Sequence, residues 1–198
     1  KGRAALGSAS GRGGTCVAPT VPAGLLRNGR TADDPLVAKS LKYLEGFIRP
    51  DGGIYQEDSM HRNYETCVAI LCFAEANKDG RYDKVIKNAE KFVKGIQGAE
   101  SEGQDESNVN YGGAGYGNKK PPDLSNTCLL IDALKAAGAG PDDPAMKKAL
   151  IFVSRSQNLE TEHNTTPHAA KVNDGGFYYT PAAGRENFAG QTDDGGLR

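Results

Sequence analysis

Tyr111-Gly-Gly-Ala-Gly-Tyr-Gly117, followed shortly by Pro122-Asp-Leu-Ser-Asn-Thr-Cys-Leu-Leu-Ile-Asp-Ala-Leu134, joins a glycine-rich turn flanked by tyrosines to a polar helix start and an almost unbroken apolar run. The same order occurs earlier, as Asp51-Gly-Gly-Ile-Tyr55 before Asn63-Tyr-Glu-Thr-Cys-Val-Ala-Ile-Leu71. It returns as Asp174-Gly-Gly-Phe-Tyr-Tyr179 and again in Asp193-Asp-Gly-Gly196. Self-similarity at this spacing is the signature of a repeat array, in which one unit cannot bury its apolar face alone.

Between these turns lie amphipathic helices. Asp33-Asp34-Pro35 opens the first: the carboxylate caps free N–H groups and proline suits the first helical position. Val37, Leu41, Leu44 and Ile48 then line one face. Asp83 is expected to cap a second such helix, with Val85, Ala89, Phe92, Val93 and Ile96 on its face. Asp142-Asp143-Pro144 opens a third, with Met146, Ala149, Leu150 and Val153 inward. Laid in register, Asp34, Asp83 and Asp143 coincide, as do Val37, Ile86 and Met146. Tyr43, Phe92 and Phe152 also coincide; Gln97 and Gln157 share a position held by Ile48 in the first unit. The intervening helices, Asn63 to Ala76 and Leu124 to Ala137, are apolar all round and are expected to be buried on every side. The expectation is an all-α chain of repeated helical hairpins, with inner apolar helices covered by outer amphipathic ones.

The chain has 198 residues and a net charge of -1, with no electrostatic footprint for nucleic acid. No apolar run approaches the roughly 20 residues of a membrane span. Residues 1–32 read as a Gly-rich segment, with Cys16 to Leu26 the remnant of an inner helix interrupted by Pro19 and Pro22; 33–198 read as the repeat domain. Cys16, Cys67, Cys72 and Cys128 lack the spacing of a zinc ribbon or disulfide scaffold, so they are expected to be reduced. That favours a reducing compartment such as the cytoplasm, although the start of the sequence carries no targeting information of its own.

Gln157 near the end of an outer helix, the Gly175-Gly176-Phe177 turn, and Thr66 and Thr127 opening the inner helices together resemble the prenyltransferase and squalene-oxidase repeat. The resemblance covers roughly 33–198 and implies the α/α toroid of terpenoid cyclases and protein prenyltransferases. The family's usual tryptophan is replaced by Ile54, Ala114 or Phe177. It also implies that the repeat continues past the two and a half helix pairs read here, leaving an arc of a toroid incomplete at its C-terminal end.

The family's chemistry does not carry over. Setting the class II cyclase motif Asp-x-Asp-Asp-Thr on Thr127 gives Asp123-Leu-Ser-Asn-Thr127, where Ser125 replaces the proton donor. A hydroxyl is too weak an acid to protonate an alkene. Arg62-Asn-Tyr-Glu-Thr66 fails likewise. The zinc site of protein prenyltransferases needs Asp-x-Cys, where this chain has Asn126-Thr-Cys128, and His61, His163 and His168 all fall in expected loops. The His163-Asn-Thr-Thr-Pro-His168 pair lacks a third ligand, so no metal and no cofactor is assigned. Some α/α toroids act on polysaccharides through carboxylates and tyrosines at the barrel mouth. Asp51 and Asp174 are the catalytic candidates on that reading, although Asp before Gly-Gly is also ordinary turn chemistry; Asp123, the one aspartate of the cyclase motif that survives, is the third candidate. Tyr55, Tyr116, Tyr178 and Tyr179 are the ligand-binding candidates. The expected function is a ligand- or protein-binding α/α domain, taking a small hydrophobic molecule or a glycan and associating with itself or a partner. The alternative is a cyclase-like or glycan-processing enzyme whose catalytic residues lie beyond Arg198.

Overall fold

The computed structural model describes residues 18–98, 105–117, 121–181, 190 and 192–197. Among these the chain is all-α, with isolated bridges in place of strands. Its helices are α1 (Thr20–Arg27), α2 (Pro35–Glu45), α3 (Arg62–Ala76), α4 (Asp83–Gly95), α5 (Leu124–Ala136), α6 (Pro144–Arg155) and the single turn α7 (Ala169–Val172).

The helices form two layers. α1, α3 and α5 pack side by side as an inner row, and α2, α4 and α6 each cover their own inner neighbour. The Cys16 to Leu26 segment therefore does supply an inner helix, displaced to Thr20–Arg27; Pro22 is tolerated because it sits in the first turn. Cys16 itself lies outside the described residues. The centre of the core is α3, where Cys67, Ile70, Cys72 and Phe73 are fully buried. Each buried Ile or Phe contributes about 1.5–3 kcal/mol. Burial pushes the Cys72 thiol up to about 12 and the Cys67 thiol higher, as expected for inert, reduced cysteines.

The three outer helices start differently than their shared register implies. Asp34 accepts from the Leu36 amide at 3.0 Å and Asp143 from the Ala145 amide at 2.9 Å, each before a proline in the first turn. Asp83, however, is already inside α4 and caps nothing. Asn77 takes over, accepting from the Tyr82 amide at 2.7 Å and donating to Asp83 at 2.6 Å. Two core assignments also change. Ile48 lies beyond the end of α2 and is 36 % exposed, and Leu150 of α6 is 52 % exposed while Phe152 is fully buried.

The reason lies in how each turn meets the next outer helix. A Cβ on Gly53 would lie 3.0 Å from the Phe92 ring, and one on Gly113 would lie 2.5 Å from the Phe152 ring. Each outer-helix aromatic is thus seated on the second glycine of the preceding turn, which rotates Phe152 inward and Leu150 outward. Tyr43 occupies the same register position in the first unit, has no preceding turn among the described residues, and is 50 % exposed.

The turns themselves repeat closely. The amide of Gly52, Gly112 or Gly175 donates to the carbonyl of Arg49, Gly98 or Asn158, at 3.0, 2.6 and 3.0 Å. In return the Arg49, Gly98 and Asn158 amides donate to Gly53, Gly113 and Gly176 at 2.8, 3.0 and 2.8 Å. All three leading glycines have positive φ, the region in which a side chain is strained. Gln97 and Gln157 pin their turns by donating to Gly112 and Gly175 at 2.8 and 2.9 Å. Thr66 and Thr127 close the unit: each hydroxyl accepts from the turn, at Ile54 (3.0 Å) or Ala114 (2.9 Å), and donates to its own helix at Arg62 or Asp123, both 2.7 Å. Asp193-Asp-Gly-Gly196 forms a further tight turn, with Gly195 at φ 85° and Leu197 fully buried.

Candidate functional site

The inner helices begin with free backbone N–H groups, and the next unit's turn supplies their acceptors. The Asn63 and Tyr64 amides donate to the Tyr116 carbonyl at 3.0 and 3.3 Å, and the Asn63 side chain donates to Gly115 at 2.8 Å. At α5 the Leu124 amide donates to the Tyr179 carbonyl at 2.8 Å. This backbone exchange draws Tyr116 and Tyr179, far apart in sequence, to neighbouring helix starts.

Their side chains then meet. The Tyr116 ring, 38 % exposed, stands 5.9 Å from Tyr64 and 5.2 Å edge-on from His61. Asp123 and Tyr116 are the neighbours of the half-buried Tyr179 hydroxyl; burial first, then these two, raise its pKa well above the usual phenol range. Asp123 is buried as the N-cap of α5. It accepts from the Asn126 amide at 2.8 Å and the Asn126 side chain at 2.7 Å. The Asn126 Oδ1 atom is buried with no hydrogen-bond partner.

The other candidates serve the fold. Asp51 accepts from the Gly53 amide at 3.0 Å and from the Tyr55 hydroxyl at 2.5 Å. Asp174 accepts from the Gly176 amide at 2.9 Å. Both carboxylates are engaged within their own turns, as Asx-turn chemistry requires. Tyr55 is buried between Phe92, at 5.5 Å, and the Arg62 guanidinium, at 4.9 Å; burial and the Asp51 bond raise its pKa. Tyr178 is 1 % exposed and donates to the Arg155 carbonyl, and burial raises its pKa too. Tyr55 and Tyr178 are therefore interior supports of their turns, while Tyr116 and Tyr179 stay partly accessible beside the starts of α3 and α5.

The histidines do not converge. His163 lies 3.8 Å from Glu106 and 3.6 Å from Glu162, and His168 Nδ1 is 2.8 Å from the Gly195 carbonyl. Among the described residues no group of three His, Cys, Asp or Glu side chains could hold a metal ion, and no helix is long and apolar enough to cross a membrane. Sequence reasoning missed Tyr64 as a rim residue. Its signal was present: it stands two residues before Thr66, as Ser125 does before Thr127, so it opens an inner helix on the rim side.

No protein-family model matches the chain, and no curated protein matches it.

Proposed function

We propose that the chain is a squalene-cyclase- and prenyltransferase-like repeat protein, an arc of an α/α toroid, that binds a small ligand at the rim of its inner helical row. In this stretch it carries neither class II cyclase nor zinc prenyltransferase chemistry. The matching turns, glutamine pins and threonine brackets support the repeat reading.

The observation that carries the binding reading is the chain of neighbours that runs from Tyr64 to Tyr116, from Tyr116 to Tyr179 and from Tyr179 to Asp123. Aromatic surface with a few polar groups beside it is the material of which small-ligand sites are made. Asp123 serves as acceptor rather than acid there. Its two oxygens receive the Asn126 amide and the Asn126 side chain.

Titration with 1-anilinonaphthalene-8-sulfonate, an aromatic probe, tests the reading. The account expects saturable fluorescence enhancement that Tyr116→Ala weakens about tenfold, or about 1.4 kcal/mol. Binding that is unchanged in Tyr116→Ala, or absent in the native chain, contradicts it.

A further inference from the structure

In the register that pairs Phe92 with Phe152, Asn88, Lys91 and Gly95 of α4 stand where α6 has Lys148, Ile151 and Arg155. On α6 that stripe is covered by the chain itself. Arg155 donates to the Glu106 and Asn108 carbonyls at 2.5 and 2.8 Å, and the Lys148 ammonium lies 5.6 Å from the centre of the buried Tyr111 ring. Segment 105–111 thus lies along α6 before it enters its turn. Arg155 is buried there, and Lys148 and Ile151 are half-buried.

The first unit has no such segment. Gly52 follows closely on Ile48, and Asp51 takes the place of Tyr111. Asn88, Lys91 and Gly95 are all exposed, and a Cβ on Gly95 would meet nothing within 4 Å. A groove of about 390 Å³ opens between these residues and Asp51-Gly52, with half-buried Phe92 and Ile96 as its apolar lining. We propose that this groove docks an acidic peptide segment of a partner protein, whose aromatic side chain takes the seat that Tyr111 takes on α6.

Charge selects the acidic segment. Lys84, Lys87 and Lys91 stand at i, i+3 and i+7, an exposed stripe that leads into the groove. Among the described residues Lys91 makes no ion pair, and Lys87 reaches Glu90 only at 4.0 Å. The Asp51 carboxylate is already engaged by the Gly53 amide and the Tyr55 hydroxyl. A segment carrying carboxylates therefore meets a complementary potential, and a basic one is repelled. The segment on α6 has the same order of features, from Asp105-Glu106 to Tyr111. With Gly95 in place of Arg155, no guanidinium grips the carbonyls of the docked chain. Binding rests on the aromatic seat and the lysines.

The probe is the peptide Asp-Glu-Ser-Asn-Val-Asn-Tyr-Gly, the sequence of residues 105–112, carrying fluorescein and read by anisotropy against the folded chain. Saturable binding is expected, weakened about tenfold when the peptide's tyrosine is replaced by alanine. Lys91→Glu should weaken it several-fold, and Gly95→Trp, whose ring would fill the groove, should abolish it. Lys135→Glu, the same charge change on α5, and Tyr116→Ala at the separate rim site should leave it unchanged. Absence of binding, or a loss in Lys135→Glu equal to that in Lys91→Glu, overturns the proposal. So does a loss in Lys148→Glu without one in Lys91→Glu, because the peptide would then be exchanging with its own copy on α6.

Discussion

Thr66, Cys67 and Ile70 of α3 stand in register with Thr127, Cys128 and Ile131 of α5, the same residue type at each position. Both threonines are fully buried in the same bracket between turn and helix. The next positions part company. Cys67 and Ile70 are fully buried, whereas Cys128 is exposed and Ile131 only half-buried. The difference lies in neighbours: α3 packs between α1 and α5, while α5 has α3 on one side and α6 behind it. Sequence type decided that both helices form and how they attach to their turns. The depth to which each sinks was decided by its place in the row, as in any nearest-neighbour array.

The largest effect that sharpens this contrast belongs to the turns. A Cβ on Gly112 would lie 1.8 Å from the Lys148 carbonyl oxygen of the next outer helix, at φ 79°. One on Gly175, at φ 72°, finds its nearest neighbour in the Gln157 side chain at 3.8 Å. Gly112→Ala should therefore cost about 4 kcal/mol or more, because backbone must move. Gly175→Ala should cost only the roughly 1–2 kcal/mol of left-handed backbone strain. Urea denaturation of both variants measures the gap, and equal losses would break the claim that the turns pack unequally.

Next comes the register pair itself. Ile70→Ala in the enclosed helix should cost about 2–5 kcal/mol through lost burial and the cavity left behind. Ile131→Ala, with part of its side chain already in water, should cost about 1 kcal/mol or less. The same denaturation experiment decides it, and a larger loss at Ile131 than at Ile70 would reverse the order of the row.

Much of this architecture was legible because it rests on local chemistry. Gly-Gly after Asp is a turn, Asp-Pro is a helix start, and periodicity separated inner from outer helices before any contact was known. What escaped depends on partners distant in sequence. Asp83 reads as a cap until Asn77, on the preceding loop, claims the Tyr82 amide. Leu150 and Phe152 both read as apolar faces of α6, and only the close seat of Phe152 on Gly113 decides which points inward. Tyr178 and Tyr179 are adjacent and alike in sequence, yet one is sealed beneath Arg155 and the other reaches Asp123. The rim cluster was half visible for the same reason. Its tyrosines could be named, but the backbone bonds that carry Tyr116 to α3 and Tyr179 to α5 could not.

The account's central claim is the order of the inner row, with α3 enclosed and one side of α5 uncovered among the described residues. Thiol labelling of the folded 198-residue chain with a maleimide, read by peptide mapping at Cys67 and Cys128, tests it most directly. Burial, together with Asp132 and Asp123, raises the pKa of Cys128, which slows its reaction without shielding it from reagent. The prediction is that Cys128 is modified in the folded protein, while Cys67 reacts at least roughly 10³-fold more slowly, through opening of the core. Comparable rates at the two cysteines, or faster reaction at Cys67, would contradict the arrangement.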